Sequence, residues 1–99
     1  MRRLIIAPIA SRDLKAIHDY IAKDNPDAAI RLLDRFDMRL SMLREHPGIG
    51  KKREELQPGV RCVVEGNYLI VYRLADDDTV EVARVVHTKR NIRKLLGRR

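Results

Sequence analysis

The residues best suited to chemistry lie in the second half of this 99-residue chain. Arginines bind phosphate through paired hydrogen bonds, and tyrosine rings stack on nucleic-acid bases. Histidine gains or loses a proton near neutral pH, so His87 is a candidate general acid or base, and the cations of Thr88-Lys89-Arg90 follow it directly. The residues of this kind are Arg61, Glu65, Tyr68, Tyr72, Arg84, His87 and Arg90.

The same side chains also have a purely structural explanation. Arg84 can pair with Glu65, the tyrosines can cover a sheet, and a lone histidine at a strand end is commonly structural. The sequence has no glycine-rich phosphate loop, nucleophile elbow, dinucleotide fingerprint or metal-ligand cluster, so most enzyme classes lack support. We expect no metal and no organic cofactor, and we interpret the single Cys62 as a buried, inert thiol.

Helical periodicity dominates the first half of the chain, after a short strand at residues 3–7. Apolar residues recur at steps of three and four from Leu14 to Ile21, which predicts a helix over residues 11–23. Asn25-Pro26 predicts the start of a second helix, which ends at Pro47-Gly48. Helices joined so closely should form an antiparallel hairpin. The predicted apolar stripe of the second helix comprises Ala29, Leu33, Phe36, Leu40 and Leu43.

Three strands then form a predicted antiparallel meander at residues 60–65, 68–74 and 79–87, joined by Gly66-Asn67 and by an aspartate loop. These turns place Arg61 opposite Tyr72, Arg73 opposite Glu81 and Ile70 opposite Arg84. The face predicted to pack against the helices carries Val60, Cys62, Val64, Leu69, Val71, Ala83 and Val85, and the other carries Arg61, Glu65, Tyr68, Tyr72 and Arg84. The fold class is therefore α+β, with the order β-α-α-β-β-β and an antiparallel sheet.

Length and charge bound the organisation of the chain. Ninety-nine residues fit a single domain spanning residues 1–99. No apolar run approaches the ~20 residues that cross a bilayer, so we expect a cytoplasmic protein without membrane contact.

The tail at residues 88–99 supplies six cations and no acidic residue, whereas the whole chain has a net charge of +7. Such a basic tail or short helix suits an acidic protein partner, a phosphate backbone or plain solvation.

The order and spacing of short motifs along nearly the whole chain resemble the RelE/ParE toxins of bacterial type II toxin-antitoxin systems. No single motif is specific, but the order and spacing of the motifs, together with their fit to the β-α-α-β-β-β order of elements, are. The resemblance rests on Asp13-Leu14, Asp19-Tyr20-Ile21, Asn25-Pro26, Ala28-Ala29, Leu43, Pro47-Gly48-Ile49-Gly50, Glu55-Leu56, Pro58-Gly59-Val60-Arg61, Tyr68-Leu69-Ile70-Val71-Tyr72-Arg73 and Val82-Ala83-Arg84-Val85-Val86-His87. It implies a toxin held inactive by a cognate antitoxin.

The resemblance leaves two activities open. ParE-like toxins poison DNA gyrase, and the segment Asn25-Pro26-Asp27-Ala28-Ala29 favours this branch. RelE-like toxins cleave mRNA on the ribosome without a metal, and their usual basic positions look vacant here, with Leu69 where a cation is expected. An alternative nuclease site is still possible from Arg61, Glu65, Arg84, His87 and Arg90.

The C-terminal segment is the predicted contact for the antitoxin, because it combines cations with an amphipathic spacing of apolar residues. It is too short to be a stable isolated helix, so it should order on tertiary or partner contact. With two tyrosines of the sheet, the candidate contacts to the antitoxin or target are Tyr68, Tyr72, Lys89, Ile92, Arg93, Lys94, Leu95 and Leu96, while Arg98 and Arg99 complete the cationic tail.

Overall fold

The structure is a computed structural model that describes residues 2–96. It confirms the α+β class and the predicted order of the main elements. The elements are β1 (Arg3–Ile6), α1 (Pro8–Ala22), α2 (Pro26–Glu45), a 3-10 turn (Pro47–Ile49), β2 (Lys51–Lys52), β3 (Val60–Glu65), β4 (Tyr68–Asp76), β5 (Thr79–His87) and α3 (Ile92–Leu95).

Local sequence signals set the ends of the two long helices. Helix α1 begins at Pro8, three residues before the predicted start, because proline fits the first turn of a helix, where its missing N–H has no partner. Asn25 caps α2 as predicted, and its side-chain Oδ1 accepts a hydrogen bond of 3.0 Å from the backbone N–H of Ala28. The chain leaves α2 at His46, directly before Pro47.

The two helices pack as a hairpin against one face of the sheet and enclose the main core. The predicted stripe of α2 is confirmed except that Leu32, rather than Leu33, is buried, and Leu33 packs at the margin of the core. Phe36 lies near the centre and meets Tyr68 edge to face, with ring centroids 5.9 Å apart. The other buried members of this core are Ala10, Leu32, Leu40, Leu43, Ile70, Tyr72, Val80, Val82 and Val85.

The sheet has the strand order β1-β5-β4-β3-β2. The antiparallel meander of β3, β4 and β5 is confirmed, including the pairs Arg61–Tyr72 and Arg73–Glu81. The sheet as a whole is mixed, because β1 lies parallel to β5, and the two-residue β2 adds a further edge. Periodicity within a strand does not report the direction of its neighbour, so the sequence pattern gave no sign of the parallel pair.

The opposite face of the sheet carries a second, smaller core. Leu56, Val60, Cys62 and Val71 are buried there, beneath Ile92 and Leu96 of the C-terminal segment. The predicted assignment of the two faces is therefore wrong for most of its residues. Val60, Cys62, Leu69, Val71 and Ala83 pack away from the helix hairpin, and only Val85 lies in the core beneath the helices.

Candidate functional site

A β-bulge in the meander separates the two arginines that were predicted to share one face. Val71 pairs with Arg84 whereas the next residue, Tyr72, pairs with Val82, so Ala83 is left over. Ile70 consequently faces Val85, and the predicted pairing of Ile70 with Arg84 is wrong. Arg61 lies opposite Tyr72 and Arg84 opposite Val71, and adjacent residues of a strand project to opposite faces. The two arginines therefore leave the sheet on different sides.

The side chain of Arg84 is hydrogen-bonded to α1. Its Nε and Nη2 atoms donate hydrogen bonds of 2.8 and 3.0 Å to the carboxylate of Asp13, and its Nη1 donates to the carbonyl oxygen of Leu95 at 3.3 Å. The hydrogen bond to Asp13 raises the pKa of the Arg84 guanidinium. The expected pairing of Arg84 with Glu65 is wrong, because the bulge turns Arg84 away from that residue.

Arg61 and Glu65 are likewise engaged within the chain. Arg61 Nη1 donates to the carbonyl oxygens of Gly48 at 3.2 Å and Gly50 at 2.8 Å. The Glu65 carboxylate lies 3.3 Å from Arg39 Nε and 3.5 Å from Arg35 Nε. Arg61 thus joins β3 to the turn that follows α2, and Glu65 joins β3 to α2 itself, so both side chains have a structural role in the described fold.

Tyr72 is fully buried, and the structure therefore removes it from the predicted partner contacts. Its hydroxyl donates a hydrogen bond of 2.7 Å to the carbonyl oxygen of Pro47 and accepts one of 2.8 Å from the backbone N–H of Gly50. Burial raises the pKa of the Tyr72 hydroxyl. A buried hydroxyl with both of its bonds satisfied stabilises the turn after α2 and cannot reach a partner.

The remaining candidates gather around a surface cavity of about 360 Å³ between α1 and the ends of β4 and β5. Tyr68, His87 and Arg90 line one side of this cavity. The rings of Tyr68 and His87 meet edge to face, with centroids 5.5 Å apart, and the backbone N–H of Lys89 donates to His87 Nδ1 at 3.1 Å. We call this feature the α1–β5 cavity.

The other wall of the α1–β5 cavity comes from α1, and the prediction of site residues missed it. Asp13, Ala16, Ile17 and Tyr20 line that wall. Their spacing of three, one and three residues is that of one helix face, which was the available signal. The predicted stripe of α1, Leu14, Ile17 and Ile21, follows the face that packs on the core, and of these three residues Ile17 also lines the cavity.

The C-terminal segment folds back onto its own chain. Asn91 caps α3, accepting a hydrogen bond of 3.3 Å from the N–H of Lys94, and Gln57 Nε2 donates to the carbonyl oxygen of Leu96 at 3.1 Å. Ile92 and Leu96 pack on the second core, so these two apolar residues are largely buried within the chain's own fold. The cations of this segment stay exposed: Lys89, Arg90, Arg93 and Lys94, while Arg98 and Arg99 lie outside the described residues.

Residues 2–96 contain no group of three or more histidine, cysteine, aspartate or glutamate side chains placed to hold a metal ion. Within the same residues, no helix is long and apolar enough to cross a membrane.

Comparison with solved structures defines the class of the fold. The chain superposes with a TM-score of 0.76 and 21% identity on a structure of a chromosomal ParDE toxin-antitoxin system from P. aeruginosa, covering 90% of this chain and 98% of that one. It also superposes with a TM-score of 0.58 and 26% identity on a chain of the toxin-antitoxin complex RelBE2 from Mycobacterium tuberculosis, covering 87% of this chain and 96% of that one. The fold is that of the RelE/ParE toxins.

Sequence comparison then identifies the family. The profile described as "ParE toxin of type II toxin-antitoxin system, parDE" matches residues 4–92, so the chain belongs to the ParE toxin family. Toxin ParE1 of Mycobacterium tuberculosis is 26% identical over 91 residues, which cover 91% of this chain and 93% of that protein. Toxin ParE1 of Caulobacter vibrioides is 38% identical over 58 residues, or 59% of this chain and 58% of the relative.

Proposed function

We propose that this ParE-family toxin inhibits DNA gyrase in the bacterial cytoplasm and blocks replication, and that a cognate antitoxin neutralises it. The family match and the ParE-named relatives support this branch of the superfamily. The toxin acts as a single domain through a macromolecular surface rather than as an enzyme. The antitoxin proposal draws on the solved relatives from a ParDE system and from the RelBE2 complex.

The observation that carries the proposal is the division of the candidate nuclease residues by the β-bulge. Cleavage of RNA by general acid-base catalysis needs a base and cations converging on one ribose and its phosphate. Arg61 and Arg84 leave opposite faces of the sheet, and each donates to groups of its own chain. Glu65 is likewise paired with two arginines of α2. This arrangement favours a contact surface over a shared catalytic site.

The alternative is RelE-like cleavage of mRNA on the ribosome. One observation favours it: His87 and Arg90, a titratable group and a cation, line the same α1–β5 cavity. Tyr68 lies beside them and offers a ring and a hydroxyl. His87 and Arg90 are the members of the predicted nuclease set that line this cavity together, and Tyr68 is a predicted contact to the antitoxin or target.

Induction of the chain alone in a bacterium separates the two functions. We expect DNA breaks and induction of the SOS response before protein synthesis declines, and we expect growth to recover when the polypeptide encoded by the neighbouring gene is co-expressed. His87→Gln should retain toxicity, because binding to gyrase needs no proton transfer by this residue. Early arrest of translation with mRNA cut at ribosomal A-site codons, together with loss of toxicity in His87→Gln, would overturn the gyrase proposal.

A further inference from the structure

The residues that line the α1–β5 cavity determine the kind of group that it can bind. Its floor and sides are largely apolar, formed by Ala16, Ile17, Val85 and Val86. Its volume of about 360 Å³ lies at the small end of ligand-binding pockets, which hold roughly 300–1,000 Å³. The space therefore suits one bulky side chain rather than an extended ligand.

The polar groups around this space are mostly hydrogen-bond donors. Both oxygens of the Asp13 carboxylate already accept hydrogen bonds from Arg84, and Oδ2 also accepts one of 2.9 Å from the backbone N–H of Val85. His87 Nδ1 accepts from the N–H of Lys89, so the neutral imidazole carries its proton on Nε2. Arg90 has only donors to offer. A ligand that satisfies these groups must supply an acceptor, and an anionic acceptor gains most.

Charge near the cavity points the same way. Arg90 lines the cavity and Lys89 precedes it in the chain, whereas Arg93 and Lys94 belong to α3, which packs on the other face of the sheet. Residues 88–96 include no acidic residue. On the facing helix, the acidic Asp13 is neutralised by Arg84 and Asp19 is paired with Lys15 at 2.7 Å. The local field therefore attracts a negatively charged segment.

We propose that the α1–β5 cavity receives a single aliphatic or aromatic side chain from an acidic segment of the antitoxin, while a neighbouring carboxylate of that segment binds Arg90 and His87 Nε2. This inference rests on the proposed neutralisation by an antitoxin and adds the place and chemistry of one anchor. Buried anchors in well-fitted pockets dominate the free energy of protein–protein binding, whereas the exposed cations chiefly accelerate association.

A peptide suits the site better than a nucleic acid. Nucleic-acid surfaces track the phosphate backbone with a groove of cations and offer successive stacking platforms. Here one of the residues that line the cavity is a cation, Arg90, and the cavity has room for one group beside one exposed ring, Tyr20. Binding of RNA in the cavity is the outcome that the test must exclude.

The test fills the cavity from an exposed position of α1 and measures binding to the polypeptide encoded by the gene next to that of the toxin. Ala16→Trp places an indole into the space, and Ser11→Trp is the matched control, because Ser11 is exposed on the opposite side of the same helix. We expect Ala16→Trp to weaken binding by roughly 30-fold or more, as the loss of an anchor does, and Ser11→Trp to bind as the wild type.

A second pair of variants tests whether Arg90 binds a carboxylate of the antitoxin, and it does not depend on how the indole of Ala16→Trp fits the cavity. Arg90→Gln should weaken binding and reduce its dependence on salt, whereas Lys52→Gln, at an exposed cation of β2, should change neither. Thermal melting establishes that each variant is folded.

The outcomes separate the two proposals. If the wild type binds the antitoxin and both Ala16→Trp and Arg90→Gln bind equally well, the cavity proposal is wrong while the antitoxin proposal stands. If the wild type fails to bind, the antitoxin proposal itself fails, and the cavity loses its occupant with it. If the variants lose affinity for a single-stranded RNA oligonucleotide but keep their affinity for the antitoxin, the cavity is a nucleic-acid site and the proposal is overturned.

Discussion

Arg84 of β5 donates two hydrogen bonds to the carboxylate of Asp13 on α1, a residue 71 positions earlier in the chain. Both side chains are largely shielded from solvent, and the same guanidinium reaches the carbonyl oxygen of Leu95. One ion pair thus joins the first helix, the last strand and the C-terminal segment. Its Asp13 also lines the α1–β5 cavity.

We predict that Arg84→Ala destabilises the fold by about 2 kcal/mol, because it leaves the shielded Asp13 carboxylate without its charged partner. Arg73→Ala is the matched control, since it removes an arginine from the more exposed pair with Glu81, which joins β4 and β5. That variant should cost under about 1 kcal/mol, as exposed ion pairs do. Urea unfolding measures both, and equal losses would show that the Asp13–Arg84 pair has no special structural role.

Gly50 should tolerate no side chain, because a Cβ atom there would overlap the ring and hydroxyl of Tyr72. We expect Gly50→Ala to cost about 1–3 kcal/mol from overpacking and the displaced hydrogen bonds. Gly48→Ala is the control, since nothing lies within 4 Å of a Cβ at that position. Thermal melting compares the two variants, and a melting temperature that falls equally in both would contradict the described packing around Tyr72.

Phe36→Ala should destabilise the protein by roughly 3–5 kcal/mol, because the ring is buried among both helices and the sheet. Met38→Ala, on the same helix at a position that is 69% exposed, should change the free energy of unfolding by no more than about 0.5 kcal/mol. Chemical denaturation provides the comparison. A loss below about 1 kcal/mol for Phe36→Ala would show that the ring is not part of the core.

Burial raises the pKa of the Cys62 thiol above its ordinary value of 9.0. A folded-state pKa above the unfolded one means that this group's contribution to stability is complete below about pH 9 and is lost as the pH rises through the folded value. We therefore expect slow alkylation of Cys62 in the native protein. The free energy of unfolding should also fall less between pH 8 and 10 in Cys62→Ala than in the wild type, with a difference on the order of 1 kcal/mol. Rapid native alkylation, or the same pH dependence in both proteins, would contradict the buried thiol.

The elements of the fold were largely predictable from the sequence, because they depend on local signals. Asn25-Pro26 fixes the start of α2, and Gly66-Asn67 fixes the register of β3 and β4. The single extra residue at Ala83 was not predictable, since a bulge leaves no clear mark in the alternation of an apolar strand. That one residue reverses the face on which Arg84 lies, and with it the composition of the candidate site.

The α1 wall of the cavity was missed for a different reason. Sequence periodicity finds the stripe of a helix that packs on its own core, but Ala16 and Tyr20 are exposed and face the cavity instead. The inward packing of Ile92 and Leu96 was also hidden, because an amphipathic segment is equally suited to its own domain and to a partner. Long-range contacts decide between these possibilities, and they exist only in the folded chain.

The most direct test of the central claim uses purified gyrase. The toxin is released from its co-expressed antitoxin, refolded and added to gyrase with ATP and relaxed plasmid DNA, and supercoiled and cleaved DNA are measured. Translating ribosomes with a defined mRNA receive the same toxin in parallel. We predict loss of supercoiling with accumulation of cleaved DNA, reversal on addition of the antitoxin, and intact mRNA. Unaffected gyrase together with mRNA cut on the ribosome would contradict it.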